Sequence, residues 1–399
     1  MGGCLICPKS NINKTESNDI ILDKDDEKLI DDSSLSPQES LSKDDFQPLK
    51  LIGKGSFGKV ILVKYINNNK IYAMKILKKE EIIKRNQITH TKTERFLLEK
   101  LDHPFIAKLK FAFQDSKHLY IITEFLQGGE LYFHLKSRNN FKESTTKFYM
   151  AQIFLAIDYM HKNGYIYRDL KPENVLLDKK GYIKLTDFGL SKMVLNEDNL
   201  NNSRNTICGT LEYMAPEIIK GIPYGLSADW FSFGVVLYEM LTGHFPFELK
   251  SRNLEDRNFD EKDIEYPPKM SSEAKDLISK LLKIEPDKRL GYNSNEEIKN
   301  SDFFKDIDFE KLLKKEYKPP LKLKLNGELD LKYFDINLTE DNEIYSDSDS
   351  KNENEMRKTN DNKSEKNRNN KIQPFDEFSF YASDEKTNRN SSSDEEDFF

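Results

Sequence analysis

The chain has 399 residues, 37% hydrophobic and 33% charged, so a length suited to two or three domains includes stretches too poor in apolar side chains to fold. With 62 basic against 69 acidic residues the net charge is −7, which argues against nucleic acid or another polyanion as the main partner. No apolar run approaches the ~20 residues of a membrane helix, no signal peptide opens the chain, and three cysteines cannot build a disulfide framework; a cytoplasmic monomer is expected.

In chain order, Cys4 and Cys7 form a C-x-x-C without a nearby second pair or histidines to close a zinc tetrahedron. The run Met1-Gly2-Gly3-Cys4-Leu5-Ile6 approaches the pattern for acylation at Gly2 and Cys4, but that motif wants Ser or Thr where Ile6 stands. Membrane contact is expected only through this tip. Residues 1–45 read as a disordered arm of Asp, Ser, Asn and Lys. From 46 to 304, apolar residues return, first in strand-like alternation and then at helical spacing, enough for a core in two parts. Residues 305–381 form a tail around Lys318-Pro319-Pro320-Leu321, with 341–371 polar and expected to be disordered, and 382–399 an acidic disordered end. Phe375, Phe378, Phe380 and Tyr381 interrupt that polarity. Nothing local can bury them, so they must dock elsewhere.

Gly53-Lys54-Gly55-Ser56-Phe57-Gly58 is a G-x-G-x-x-G, a weak signal alone. A dinucleotide fold needs a helix after the third glycine, yet Val60-Ile61-Leu62-Val63 favours a strand. Strand, glycine turn and strand describe a lid whose backbone N–H groups approach phosphates. Ile71-Tyr72-Ala73-Met74-Lys75-Ile76 reads as the next strand, and an inward Lys75 is costly unless paired with phosphates or with a carboxylate such as Glu94 in the following helical stretch.

Tyr167-Arg168-Asp169-Leu170-Lys171-Pro172-Glu173-Asn174, followed by Asp187-Phe188-Gly189 and Ala215-Pro216-Glu217, makes the resemblance specific. The order and spacing resemble those of eukaryotic protein kinases. Tyr167 before the Arg-Asp pair and the tail run Phe375-Asp376-Glu377-Phe378-Ser379-Phe380 resemble the AGC branch. The resemblance implies an α+β, bilobal fold: a small, mostly β lobe with one key helix, a large, mostly α lobe, and a C-terminal tail wrapping the small lobe.

It also implies ATP and magnesium as cofactors. Phosphoryl transfer needs cations placed on the transferred group and an oriented hydroxyl. By the resemblance Asp187 and Asn174 hold magnesium, Lys75 grips phosphates while tethered by Glu94, Asp169 is the base, and Lys171 steadies the moving group. Gly53 to Gly58 cover the phosphates. Val60, Ala73 and Leu176 are expected around adenine, with Thr123, Glu124, Leu126 and Glu130 along the cleft edge and Phe334 reaching in from the tail. Asp229 is expected to brace the catalytic loop, and Glu217 to pair with Arg289.

For control, the resemblance implies phosphorylation by upstream kinases at Thr206, with Arg168 and His90 as partners, and at Ser379. The family's middle tail site is missing, with Ser346 or Ser348 as substitutes. Glu130, Glu173 and Glu239 match positions that receive arginines of a protein substrate, although each carboxylate is also a candidate for a local ion pair. Leu211 stands where relatives have proline, and with Ile207 and Met214 suits an apolar residue after the acceptor. Two other readings compete: a catalytically silent kinase fold serving as a scaffold, opposed by the presence of Lys75, Asp169 and Asp187, and a nicotinamide oxidoreductase, opposed by the missing helix after Gly58.

Overall fold

The computed structural model describes residues 41–55, 58–194, 208–247, 259–335 and 375–386. The acylation motif, Ser56, Phe57, Thr206, Ile207 and the segment 341–371 lie outside these residues.

The first part is an antiparallel sheet. Strands β1 (Phe46–Lys54), β2 (Gly58–Tyr65), β3 (Ile71–Lys78), β4 (Leu109–Gln114) and β5 (His118–Glu124) pair in the order β1-β2-β3-β5-β4. Branched residues drive it, and Ile61, Leu62 and Val63 are essentially solvent-free. Between β3 and β4 run helices α1 (Lys79–Lys84) and α2 (Ile88–Lys100). Thr91, Glu94, Leu97 and Leu98 form the buried stripe of α2, so one carboxylate is carried inward with the apolar residues. On β3, Lys75 sits opposite Val60 on one side and Ile121 on the other, which fixes its amine in the middle of the sheet.

The second part is helical. Helix α3 (Leu131–Lys136) leads into α4 (Glu143–Lys162), and after short strands and a short α5 (Pro216–Ile219) comes α6 (Ser227–Thr242). Helix α6 is buried from Ser227 to Met240 and stops at Gly243, whose φ of +81° closes the helix in the left-handed region. A helix apolar all round must lie inside. Trp230 stacks on Phe154 of α4 at 5.6 Å between ring centres, and Leu277, Ile278 and Leu281 of α7 (Ser272–Leu281) cover α6. A small β lobe with one inward-facing helix, joined to a larger helical lobe, is the α+β bilobal architecture the sequence predicts.

Two expected boundaries shift. The arm predicted to end at residue 45 already folds at Lys43–Asp45, a 3-10 turn capped reciprocally by Ser42 and Asp45. The acidic end predicted as disordered from 382 begins with structure. Ala382 is buried, and Ser383–Lys386 form one helical turn.

Candidate active site

Lys75 Nζ meets Glu94 Oε1 at 2.6 Å and Oε2 at 2.8 Å. Burial alone would push the amine down, but Glu94 and then Asp187 hold it above the usual lysine range, so it is an ammonium. Asp187 lies beside this pair: a methyl built on Gly189 would sit 3.5 Å from Asp187 Oδ1 and 4.0 Å from Glu94 Oε2. Asp187 itself is exposed to the cleft.

The catalytic loop hangs from one buried carboxylate. Asp229 on α6 accepts from the backbone N–H of Tyr167 and of Arg168, each at 2.8 Å, and lies 2.8 Å from His161 Nε2. This anchoring sustains left-handed backbone at Arg168 (φ +72°), and Asp187 is likewise left-handed (φ +58°). Such conformations cost about 1–2 kcal/mol per ordinary residue, less for Asp, and persist where surroundings over-determine them. Arg168 also donates to Leu190 O and Tyr224 Oη.

Asp169 is met from three directions. Lys171 Nζ and Asn174 Nδ2 each reach its Oδ2 at 2.9 Å, and Thr210 Oγ1 donates to its Oδ1 at 3.0 Å. Lys171 also donates to Thr210 at 2.7 Å. Burial opposes the charge on Lys171, yet Asp169 keeps its amine raised. The motifs of the sequence assign Thr210 no role. Its signal was only its place behind Cys208-Gly209.

Around the neighbouring space, Ala73 faces Thr123 across β3 and β5, and Val60 lies next to Gly53. Leu176 pairs with Glu130, and Leu126 is buried. Phe334 stacks on Phe125 at 5.7 Å, and Gln127 ties the same tail stretch through Gly327 O at 2.6 Å. The Glu124 carboxylate is taken by Lys184 at 2.8 Å and the Lys108 N–H at 3.0 Å, and the Glu124 N–H donates to Lys108 O at 3.2 Å. Gly58 has a packing reason besides its place in the lid. A methyl there would lie 1.8 Å from Ile76 O of β3.

A family model for the protein kinase domain matches residues 46–304. The chain belongs to the protein kinase family. The kinase is 45% identical over 304 residues to protein kinase 2 of Dictyostelium discoideum, covering 76% of this chain and 63% of that protein. It is 42% identical over 313 residues to the serine/threonine-protein kinase akt-1 of Caenorhabditis elegans (78% and 57%), and 41% over 350 residues to the serine/threonine-protein kinase gad8 of Schizosaccharomyces pombe (87% and 61%). These matches place the kinase in the AGC group of serine/threonine kinases. The alignments span between about a third and two thirds of the length of the curated relatives.

The carboxylates expected to read a substrate lie on the helical lobe of the kinase. Burial and then Glu173 raise Glu130, and burial, with Asp169 and Glu212 adding to it, raises Glu173. Glu239 is pushed up to about 7 by burial, against a bond from Tyr213 Oη at 2.8 Å and with a further push from Glu173. Glu173 Oε2 is buried without a hydrogen-bond partner among the described residues.

The kinase tail docks on the small lobe. Phe375 and Phe378 are 2% exposed, with Lys79 Nζ over the Phe375 ring and Gln114 Nε2 donating to Phe375 O at 2.8 Å. Arg95, the neighbour of Glu94 on α2, donates to Phe378 O at 3.1 Å and Ser379 O at 3.2 Å. Ser379 itself is exposed. His90, expected beside Thr206, lies near Arg168, and burial followed by that guanidinium lowers its pKa.

Proposed function

We propose that the chain is a catalytically active, monomeric, cytoplasmic serine/threonine kinase that transfers the γ-phosphoryl group of ATP to Ser or Thr in basic segments of proteins. The observation that carries this reading is the convergence of Lys75 paired with Glu94, Asp187 beside them, and Asp169 bound by Lys171 and Asn174.

The donor set fits a magnesium nucleotide. Among the described residues no three His, Cys, Asp or Glu side chains gather as a metal cage, and magnesium ordinarily takes one or two carboxylates and completes its shell with water and phosphate oxygens. Asp187, exposed to the cleft, and Asn174 would hold it. Bound there, the nucleotide supplies the transferable phosphoryl group and the metal charge that neutralises it. Lys75, kept charged by Glu94, supplies a fixed cation for phosphate oxygens. Asp169 orients the acceptor hydroxyl and takes its proton at the Oδ atoms, one of which already accepts from a hydroxyl, that of Thr210. Lys171 lies at hydrogen-bond distance from both Asp169 and Thr210, which puts a second cation beside the acceptor.

Phosphate on Thr206 would pair with Arg168, and phosphate on Ser379 would add acceptors near Arg95. Both act by population shift on α2 and the catalytic loop. The test is incorporation of radiolabel from ATP into an arginine-rich peptide by the full chain and by Asp187→Ala. Loss of incorporation in the variant is expected; equal incorporation by both would remove the catalytic reading and leave a scaffold.

The acids predict a pH effect. With its pKa near 7, Glu239 is largely neutral below that pH and ionised above it, so affinity for a basic peptide rises between pH 6 and 8. Glu239→Gln keeps an acceptor for Tyr213 but removes the charge. It should raise the peptide KM by about 10–100-fold at pH 8, corresponding to the ~1.5–3 kcal/mol of a charged hydrogen bond, and flatten the pH dependence. Peptide titrations at both pH values check it; an unchanged KM refutes this role.

A further inference from the structure

Beyond the aromatic pair Phe375 and Phe378, the chain continues along the open edge of β4. Phe380 lies opposite Ala112 and Tyr381 opposite Phe111 in an antiparallel pairing, and the Ala382 N–H donates to Lys110 O at 3.0 Å. The strand becomes the sixth member of the sheet. Tyr381 enters the aromatic cluster of the small lobe, edge-on to Phe111 at 5.0 Å, with its hydroxyl 3.0 Å from that of Tyr65.

The turn that follows, Ser383–Lys386, brings two acids onto cations from two separate places. Asp384 pairs with Lys110 of β4. Glu385 is only 3% exposed. Its Oε2 lies 3.2 Å from Lys70 Nζ and accepts from Asn68 Nδ2 at 2.9 Å, while its Oε1 lies 3.4 Å from Lys110 Nζ. Asn68 is prepared for this contact. Its amide oxygen accepts from the Lys70 N–H within the β2–β3 turn, at 2.9 Å, which leaves the NH₂ for Glu385 and the Tyr72 hydroxyl. Lys70 is half exposed and so screened by solvent, whereas Lys110 is largely covered, making it the stronger of the two cations.

A buried carboxylate is unfavourable without partners, and here it finds them only where the tail meets the lobe. None of these contacts uses the Ser379 side chain, which is exposed. We propose that Tyr381–Glu385 is a second anchor of the tail, with Glu385 as its positioning residue, seating the hydrophobic segment on the same molecule's small lobe without phosphate on Ser379. Edge pairing supplies the direction, Tyr381 the apolar contact, and Glu385 the bridge between the β2–β3 turn and β4. Its consequence for catalysis, through Arg95 and α2, rests on the function proposed above; the anchoring itself does not.

The test is amide hydrogen exchange on the full chain, followed by mass spectrometry over residues 375–386, in a Ser379→Ala background that cannot carry the phosphate. Adding Glu385→Gln should speed exchange of this segment at least tenfold, with the melting temperature of the kinase domain unchanged. Lys70→Gln with Lys110→Gln should reproduce the effect, and combining them with Glu385→Gln should add little, the signature of a shared interaction. Ser379→Ala alone should change exchange less than threefold. Exchange within twofold of the parent in Glu385→Gln, or full release of the segment by Ser379→Ala alone, would overturn the proposal. So would protection that grows with protein concentration, since that would put the segment on a second copy. The readout needs no phosphoryl transfer, so an inactive enzyme would leave this result standing.

Discussion

Replacing Asp169 with asparagine lowers kcat by about 10²–10⁴-fold, the range for removal of a positioned general base, while the melting temperature and the KM for ATP stay near those of the parent. The geometry separates chemistry from folding here. Oδ2 accepts from Lys171 and Asn174, and Oδ1 from the Thr210 hydroxyl. An asparagine keeps its carbonyl toward the two nitrogen donors and turns its NH₂ to Thr210, whose hydroxyl accepts as readily as it donates. The network survives without a proton acceptor for the substrate. Steady-state kinetics beside a thermal melt decide the matter; a variant that keeps more than a tenth of parental kcat removes Asp169 from the role of base.

Removing Arg289 gives the largest expected loss of stability. Its guanidinium donates to both Glu217 oxygens at 2.6 and 2.9 Å, to Ser227 O at 3.0 Å and, from Nε, to Lys283 O at 3.0 Å, with its carbon 5.0 Å from the Phe231 ring centre. Both side chains are at most 1% exposed. Arg289→Ala strands Glu217 in the core and should cost about 3–5 kcal/mol. Arg289→Lys should recover little, because a point charge cannot span two carboxylate oxygens. Urea unfolding measures it. Because the pair is one interaction, Glu217→Ala with Arg289→Ala should cost clearly less than the sum of the two; additive losses would contradict the reading.

Much of this was legible in the chain because its chemistry is local. Lys75, Asp169, Asn174 and Asp187 stand in short motifs whose spacing is set by a strand or a tight loop, and the Glu217–Arg289 and Asp229 contacts follow from those motifs. The absence of a helix after Gly58 rested on β-branched residues and matches β2. What stayed hidden depends on distant segments arriving at one point. Lys184 capturing Glu124, Thr210 resting on Asp169, and Asn68 with Lys70 receiving Glu385 join residues 41 to 317 positions apart, with no periodicity to announce them. The docking need of four tail aromatics was readable from polarity alone, whereas the acids after them were expected to lie in a disordered end. Burial of Glu385 reverses that reading.

Helix α2 carries Glu94 and Arg95 side by side, one gripping Lys75 and the other the carbonyls of Phe378 and Ser379. Successive residues on a helix are about 100° apart, so a rigid roll of α2 cannot release one grip and spare the other. Reciprocity then follows: any factor by which a seated tail changes the cleft's affinity for its ligand is the factor by which that ligand changes the tail's affinity for its groove.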